Sequence, residues 1–145
     1  MKTCAEVMTH QTVYCFPEDL ASRAAQLMQS ANIGSVPVVE NKPAHKLVGI
    51  VTDRDLALQL VAQGRDTLTT KVEAVMTRQI VTCQAGDDVQ QALDAMAEHQ
   101  LRRIPIVDQE QRLIGIIAQA DVATRVNQPQ KTATLVKEIS QAAAK

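Results

Sequence analysis

One stretch of this sequence occurs twice, and the duplication limits the possible folds more than any other feature. Leu47–Asp55 returns as Leu113–Asp121, with a glycine, an isoleucine and an aspartate at matching positions. A Val-Met-Thr opening and a Val/Ile-Pro-Val/Ile segment precede both copies in the same order. Motifs up to Pro37 recur after 68 residues and those from Gly49 onward after 66, so the second copy lacks two residues in the loop around 43–45. Constant order with one loop deletion indicates a duplicated structural unit.

Each repeated stretch joins a predicted strand to a predicted helix. The apolar run Leu47–Val51 is typical of a short buried strand, and helical apolar spacing begins directly after Thr52. The first backbone N–H groups of such a helix are unpaired and attract anions, phosphate included. Thr52 adds a hydroxyl beside them, and Asp55 adds a carboxylate that can accept hydrogen bonds from a ribose diol. The alternative is purely structural, with Thr52 as the N-cap and Asp55 as a partner of the helix dipole.

The apolar periodicity predicts strand, helix, strand, strand, helix in each copy, after a short helical lead-in at Met1–Met8. In the first copy these elements are Thr12–Phe16, Pro17–Asn32, Val36–Glu40, Leu47–Val51 and a helix that continues to about Gln63. In the second copy they are Ile80–Cys83, Asp87–His99, Ile104–Asp108, Leu113–Ala118 and Gln119–Val126, followed by a further helix at Thr132–Ala144. Neither copy is long enough to bury a good core alone, so we expect the copies to pack together.

Composition excludes several classes of protein. The net charge is −1 with one Tyr, one Phe and no Trp, which argues against a nucleic-acid surface. There is no apolar run of membrane-spanning length and no signal-peptide core, so we expect no membrane partner. Three cysteines without paired spacing favour reduced thiols, and hence a cytoplasmic protein.

The sequence also lacks the constellations on which enzymes depend. It has neither a Gly-Lys phosphate loop nor a recognisable set of nucleophile, base and oxyanion donors. Cys4, His10 and Cys15 match no tetrahedral metal signature. We therefore predict a protein that is not an enzyme, with no catalytic residue, no metal and no catalytic cofactor. Cys15 and Cys83 are expected to be small buried hydrophobes.

Taken together, these motifs resemble the cystathionine-β-synthase (CBS) domain family, here as a tandem pair or Bateman module. The resemblance rests on the Val-Met-Thr openings, the Val/Ile-Pro-Val/Ile segments and the Gly-Ile-Val-Thr-Asp-Arg-Asp junction. It implies an α/β (α+β) fold of two β-α-β-β-α repeats packed about a pseudo-twofold axis. The implied domains are repeat 1 at 8–66, repeat 2 at 76–128 and a C-terminal helix at 129–145. Such modules commonly form disc-like homodimers.

The resemblance further implies an adenosine-containing ligand, AMP, ADP or ATP, in the cleft between the repeats. By position, Asp55 and Asp121 would bind the ribose hydroxyls, and Thr52 the ribose or phosphate. Tyr14 would either cover the adenine or cap the sheet. Arg102 and Arg103 would bind phosphate, although a solvated basic pair is the ordinary alternative. The implied ligand-binding residues are Thr52, Arg54, Asp55, Ile33, Gly34, Ser35, Val36, Pro37, Arg102, Arg103, Ile104, Pro105 and Asp121.

The two copies differ at these positions. Ala118 replaces the Thr52 hydroxyl in the second copy, whereas Gly34 and Ser35 replace the two arginines in the first. We expect one asymmetric high-affinity site beside a degenerate one. The leading hypothesis is a non-catalytic module that senses adenine nucleotides and signals to an unknown protein partner. The alternative is an interaction or assembly module whose nucleotide site is degenerate.

Overall fold

A computed structural model of the chain describes residues 2–10, 13–118 and 122. The chain divides into two compact units. One unit is continuous and comprises Val13–Ile80. The other combines Met1–Thr12 with Val81–Lys145. The first-repeat and second-repeat units are named below after the repeat whose strands they contain.

The first-repeat unit is built on an antiparallel pair of strands. Its elements are α2 (Ala21–Ala31), β1 (Ser35–Val39), β2 (Leu47–Thr52), α3 (Asp53–Asp55), a π-helical segment (Leu56–Val61) and a 3-10 turn (Val72–Ala74). Ser35 lies opposite Thr52, and Pro37 opposite Ile50. Cys15 adds a single parallel bridge to Val38 on the other side of β1. Each of these elements except the three-residue α3 contributes to the buried core, and two residues outside the elements, Cys15 and Val75, complete it. The core comprises Cys15, Ala21, Ala24, Met28, Val36, Val38, Val51, Leu56, Leu60, Val72 and Val75.

The second-repeat unit contains a three-stranded sheet. Its elements are α1 (Cys4–Val7), β3 (Cys83–Gln84), α4 (Val89–His99), β4 (Arg103–Val107) and β5 (Leu113–Ala118). β4 lies between β3, to which it is parallel, and β5, to which it is antiparallel. Asp88 caps α4 by accepting a 3.0 Å hydrogen bond from the N–H of Gln90. The core comprises Cys4, Val7, Met8, Cys83, Val89, Ala92, Leu93, Met96, Ile104, Ile106, Ile117 and Val122.

Each Val-Met-Thr motif packs on the strand that leads to a junction. Thr9 and Ile116 exchange backbone hydrogen bonds of 2.8 and 3.1 Å, and Thr77 and Ile50 exchange bonds of 2.8 and 2.9 Å. The methionine of each motif lies on the glycine of that strand, so that a Cβ on Gly49 would come within 2.6 Å of the Met76 sulfur. The motif at the start of the chain therefore belongs to the second-repeat unit, and the motif between the repeats belongs to the first-repeat unit.

The predicted class of mixed helices and strands is confirmed, and the strand Leu113–Ala118 is found as predicted. The helix predicted from Pro17 begins only at Ala21, because the Asp19 carboxylate accepts a 2.8 Å hydrogen bond from Phe16 N–H and closes a turn. The strand predicted at Thr12–Phe16 is reduced to the Cys15 bridge, and Thr12 lies outside the described residues. Ile80–Cys83 was predicted as a strand, but only Cys83–Gln84 pairs with β4.

The predicted helix after Thr52 is correct in position and wrong in type over six residues. Leu56–Val61 is π-helical, with Ala62 N–H donating to Ala57 C=O at 2.9 Å. Over so few residues apolar spacing does not distinguish a bond to the fifth preceding residue from one to the fourth. Gly64, with φ of +66°, ends this helix as predicted. The helices predicted at Gln119–Val126 and Thr132–Ala144 lie outside the described residues, apart from Val122, which is helical and buried.

Candidate functional site

The junction of the first-repeat unit is held by reciprocal hydrogen bonds between Thr52 and Asp55. The backbone N–H of Asp55 donates to the Thr52 hydroxyl at 3.0 Å, and the N–H of Thr52 donates to Asp55 Oδ2 at 3.0 Å. This is a capping box with aspartate in the third position, and it satisfies two donors that the helix start leaves unpaired. The structural alternative from the sequence is therefore realised, and it places the Thr52 hydroxyl and the half-buried Asp55 carboxylate side by side.

Thr77 is a third member of this cluster, and the sequence analysis did not single it out. Its hydroxyl lies 3.2 Å from both carboxylate oxygens of Asp55, to which it donates. The backbone pairing of Thr77 with Ile50 on β2 fixes its position. The recurrence of threonine in both Val-Met-Thr motifs is the signal that could have identified it.

Gly34 and Asp53 form the neighbouring wall of the junction. The N–H of Asp53 donates to Gly34 C=O at 2.9 Å, and a Cβ at position 34 would lie 3.1 Å from Asp53 Oδ2. A side chain larger than glycine would therefore crowd this carboxylate. Arg54 is exposed, and its backbone N–H donates to Asp53 Oδ1 at 2.8 Å. Asp53, Arg54 and Asp55 thus put two carboxylates and one guanidinium on consecutive residues.

The other predicted ligand-binding residues of the first repeat differ in exposure. Gly34 is exposed, and Ile33 and Ser35 are half-buried. Val36 is fully buried in the core, and Pro37 is buried as well. A ligand at this junction would meet the side chains of Ile33 and Ser35, and would reach Val36 and Pro37 through their backbone.

The junction of the second-repeat unit carries different chemistry. Arg103 lies directly opposite Ala118 in the β4–β5 pair, at the positions that Ser35 and Thr52 occupy in the other unit. Arg102 is exposed and Arg103 is half-buried, whereas Ile104 and Pro105 are buried. Asp121 lies outside the described residues. This junction therefore replaces a hydroxyl with a methyl group and adds a guanidinium beside it.

Tyr14 lies away from the first-repeat junction. Its ring packs against Phe16 and His45, with centroid distances of 5.7 and 5.3 Å. His45 is in the loop that connects β1 to β2. This loop follows Val39, whereas the junction lies at the other end of β1, beside Ser35. This position favours the sheet-capping alternative for Tyr14 over contact with an adenine at Thr52 and Asp55.

Two properties of the described residues bear on metals and membranes. Within residues 2–10, 13–118 and 122, no three His, Cys, Asp or Glu side chains are grouped in a way that could hold a metal ion. In the same part of the chain, no helix has the length and apolar character needed to cross a membrane.

Most of this chain matches a known protein family and known proteins. The family model of the CBS domain matches residues 4–62 and 72–127. The CBS domain-containing protein YhcV of Bacillus subtilis is 42% identical over 128 residues, which cover 88% of this chain and 86% of that protein.

Solved structures have the same fold. Hypoxic Response Protein I, solved with two coordinated zinc ions, is 30% identical with a TM-score of 0.74, over 84% of this chain and 97% of that one. CBSX2, solved in complex with AMP, is 23% identical with a TM-score of 0.76, over 90% and 99% of the two chains. The two matched regions, the relative in Bacillus and these structures agree with the duplication and the two junctions described above. The chain belongs to the CBS domain family and carries two CBS domains in tandem.

Proposed function

We propose that this protein is a non-catalytic regulatory module that binds an adenosine-containing ligand, AMP, ADP or ATP, and reports its presence to a protein partner. The observation that carries the proposal is the Asp55 carboxylate, placed at the end of β2 and held by Thr52 and Thr77. An ionised carboxylate offers about four acceptor positions, and the bonds with Thr52 and Thr77 leave room for a ribose hydroxyl. Because two neighbours fix this group, it is preorganised for a ligand.

Family membership supports the ligand class. CBSX2 was solved with AMP, and at 23% identity its likeness to this chain is a likeness of fold. The claim for this chain therefore depends on its own residues, above all on Thr52, Asp55 and the arginines at 102 and 103. The guanidinium groups suit phosphate because they match its oxygens in a bidentate way.

A module of this kind acts by differential binding. A ligand that binds one conformation of the chain more tightly shifts the population toward that conformation, and a partner that distinguishes the two conformations responds. No step of bond making or breaking is required. The homodimer and the cytoplasmic location expected from the sequence belong to this proposal.

Thermal unfolding with AMP, ADP, ATP, S-adenosylmethionine and NAD, each at millimolar concentration, tests the proposal. A ligand at a hundred times its dissociation constant adds roughly 2.7 kcal/mol to the free energy of unfolding, and thereby raises the melting temperature by several degrees. A shift with an adenine nucleotide supports the proposal and identifies the signal. No shift with any of the five compounds, on a folded protein, would reject it.

The second candidate is an assembly module that binds a protein and no nucleotide. Three observations favour it. The Asp55 carboxylate is already part of a capping box, and Ala118 has no hydroxyl. Exposed apolar side chains on the first-repeat unit, Leu58, Val61 and Leu68, offer contact area, with 42, 70 and 75% of their surfaces accessible. A folded protein that gives no thermal shift but sediments as a stable oligomer would favour this candidate.

A further inference from the structure

Two cysteines from distant parts of the sequence meet in the core of the second-repeat unit. Cys4 is the first residue of α1 and is fully buried, and Cys83 begins β3 with 8% of its surface exposed. Both are members of the same cluster of buried residues. Neither residue belongs to the junctions described above, so they serve no part of the proposed ligand binding.

The backbone around these cysteines holds them together. The N–H of Cys4 donates to Asp87 C=O at 2.8 Å, and the N–H of Ala5 donates to Ala85 C=O at 3.0 Å. These bonds join α1 to the segment directly after Cys83. The Cys4 thiol lies 4.0 Å from the Asp88 carbonyl oxygen, in the same segment. Both thiols therefore lie in the same buried cluster, on two segments that backbone hydrogen bonds hold together.

The pKa values of the two thiols are shifted in opposite directions. Donation to Cys83 and burial raise the pKa of the Cys4 thiol, because both favour its protonated form. The same hydrogen bond lowers the pKa of Cys83, because it stabilises the thiolate that accepts it. Since the thiolate is the reactive form of cysteine, Cys83 is the sulfur that attacks first.

We propose that Cys4 and Cys83 form a reversible intrachain disulfide that fastens the N-terminal segment to the second-repeat unit. The oxidant is a low-molecular-weight disulfide such as oxidised glutathione. The Cys83 thiolate attacks one of its sulfurs and releases a small thiolate, and the Cys4 sulfur then attacks Cys83 and releases the second. One S–S bond is broken and one is formed, and the two protons lost by the cysteines leave on the two small thiols.

Burial sets how fast this reaction proceeds. Because both thiols are buried, an oxidant reaches the sulfurs only when the four-residue helix α1 opens locally. Oxidation is therefore slower than at an exposed thiol. A disulfide requires an S–S distance of about 2.05 Å, so the two side chains must also rotate until their sulfur atoms reach bonding distance.

The disulfide would act on the segment that packs beside the second junction. Met8 lies on Gly115, and Thr9 pairs with Ile116 of β5. Cys4 is five residues before Thr9, so a covalent bond at Cys4 keeps this segment in place. Cys15 is the natural comparison, because it is buried in the other unit and burial raises the pKa of its thiol to about 12. It is expected to remain a free thiol.

Oxidation of the full chain with oxidised glutathione, followed by acid quenching, denaturation and alkylation, tests the proposal. Of the three cysteines, only Cys15 should then be alkylated. Cleavage after Glu6 separates Cys4 from Cys15, so peptide mapping should find the fragment with Cys4 joined to the fragment with Cys83. The loop that this bond closes is long, and the melting temperature should rise by about 5 °C or more on oxidation.

Two variants provide the controls. Cys15→Ala should form the same cross-link as the wild type, whereas Cys83→Ser should form none and should show no rise in melting temperature with oxidant. Three alkylated cysteines after oxidation of the wild type would overturn the proposal. So would a stable glutathione adduct on Cys83 without the cross-link, a bond to Cys15, or a dimer linked between chains. The wild-type and Cys15→Ala results decide the matter even if Cys83→Ser does not fold.

Discussion

Asp55 accepts hydrogen bonds from the backbone of Thr52 and from the hydroxyl of Thr77. Thr52 and Asp55, two of the residues proposed to bind ligand, thus also cap the helix, and the structural and functional interpretations of this motif are compatible. Spacing in the sequence located Thr52 and Asp55 because a strand followed by a helix needs such residues. It could not locate Thr77, since the contact joins residues 22 positions apart.

Thr77→Val removes the hydroxyl from Asp55 at nearly constant volume. We expect the free energy of unfolding to fall by roughly 0.5–1.5 kcal/mol, the usual net value of one hydrogen bond, and ligand affinity to fall as well. Urea denaturation measures the first effect and a ligand titration the second. Thr77→Ser should retain both properties, and Thr67→Val, at an exposed position in the same unit, should change neither. Wild-type stability and affinity in Thr77→Val would show that Thr77 does not hold Asp55.

The contact between each Val-Met-Thr motif and its strand depends on a glycine. A Cβ on Gly115 would lie 2.8 Å from Met8 Cγ and 3.0 Å from Thr9 C=O, both too close. The two backbone hydrogen bonds between Thr9 and Ile116 lie directly beside this close approach. The motif recurs with its repeat, but the sequence does not say on which repeat's strand it packs.

Gly115→Ala should therefore destabilise the protein by about 1–3 kcal/mol, the range typical of an overpacked core. Gly86→Ala, in the same unit and with no atom within 4 Å of the new Cβ, should stay within about 0.5 kcal/mol of the wild type. In a Met8→Ala background the cost of Gly115→Ala should shrink, because the side chain it meets is gone. Equal denaturation midpoints for Gly115→Ala and Gly86→Ala would contradict the packing described here.

Several elements were predictable because their signals are local. β5 follows a run of polar residues, and α4 begins at Val89, two residues after the predicted start, with Asp88 as its N-cap. The π-helical segment was not predictable, since its apolar spacing fits either helix type. The cluster of Tyr14, Phe16 and His45 joins the segment before α2 to the loop between β1 and β2, and periodicity carries no information about such contacts.

The division into two units assigns the start of the chain to the second repeat. Cys4, Val7 and Met8 each have at most 5% of their surfaces exposed, and all three belong to the core of that unit. The predicted domains 8–66, 76–128 and 129–145 describe how the sequence repeats and stay a prediction. The two compact units, in contrast, are defined by which residues lie close together in the folded chain.

Removal of residues 1–9 should accordingly weaken the second repeat and spare the first. Burial of a Val or Met side chain contributes about 1.5–3 kcal/mol, so the loss of these contacts should speed amide exchange in α4, β4 and β5. Hydrogen exchange followed by mass spectrometry resolves these segments from β1 and β2. Faster exchange in β1 and β2, with α4 and β5 unchanged, would contradict the assignment of the lead-in to the second-repeat unit.

The most direct test of the proposed function is a calorimetric titration of the wild type, Asp55→Ala and Asp121→Ala with the nucleotide that gives the largest thermal shift. Asp94→Asn, which alters an exposed carboxylate on α4, is the matched control. We predict measurable binding by the wild type and Asp94→Asn, a loss of at least tenfold in affinity for Asp55→Ala, and a smaller loss for Asp121→Ala. Equal losses for the two alanine variants would contradict the asymmetry of the sites. Absence of binding in the wild type, or unchanged affinity in Asp55→Ala, would contradict the central claim that this junction binds an adenosine ligand.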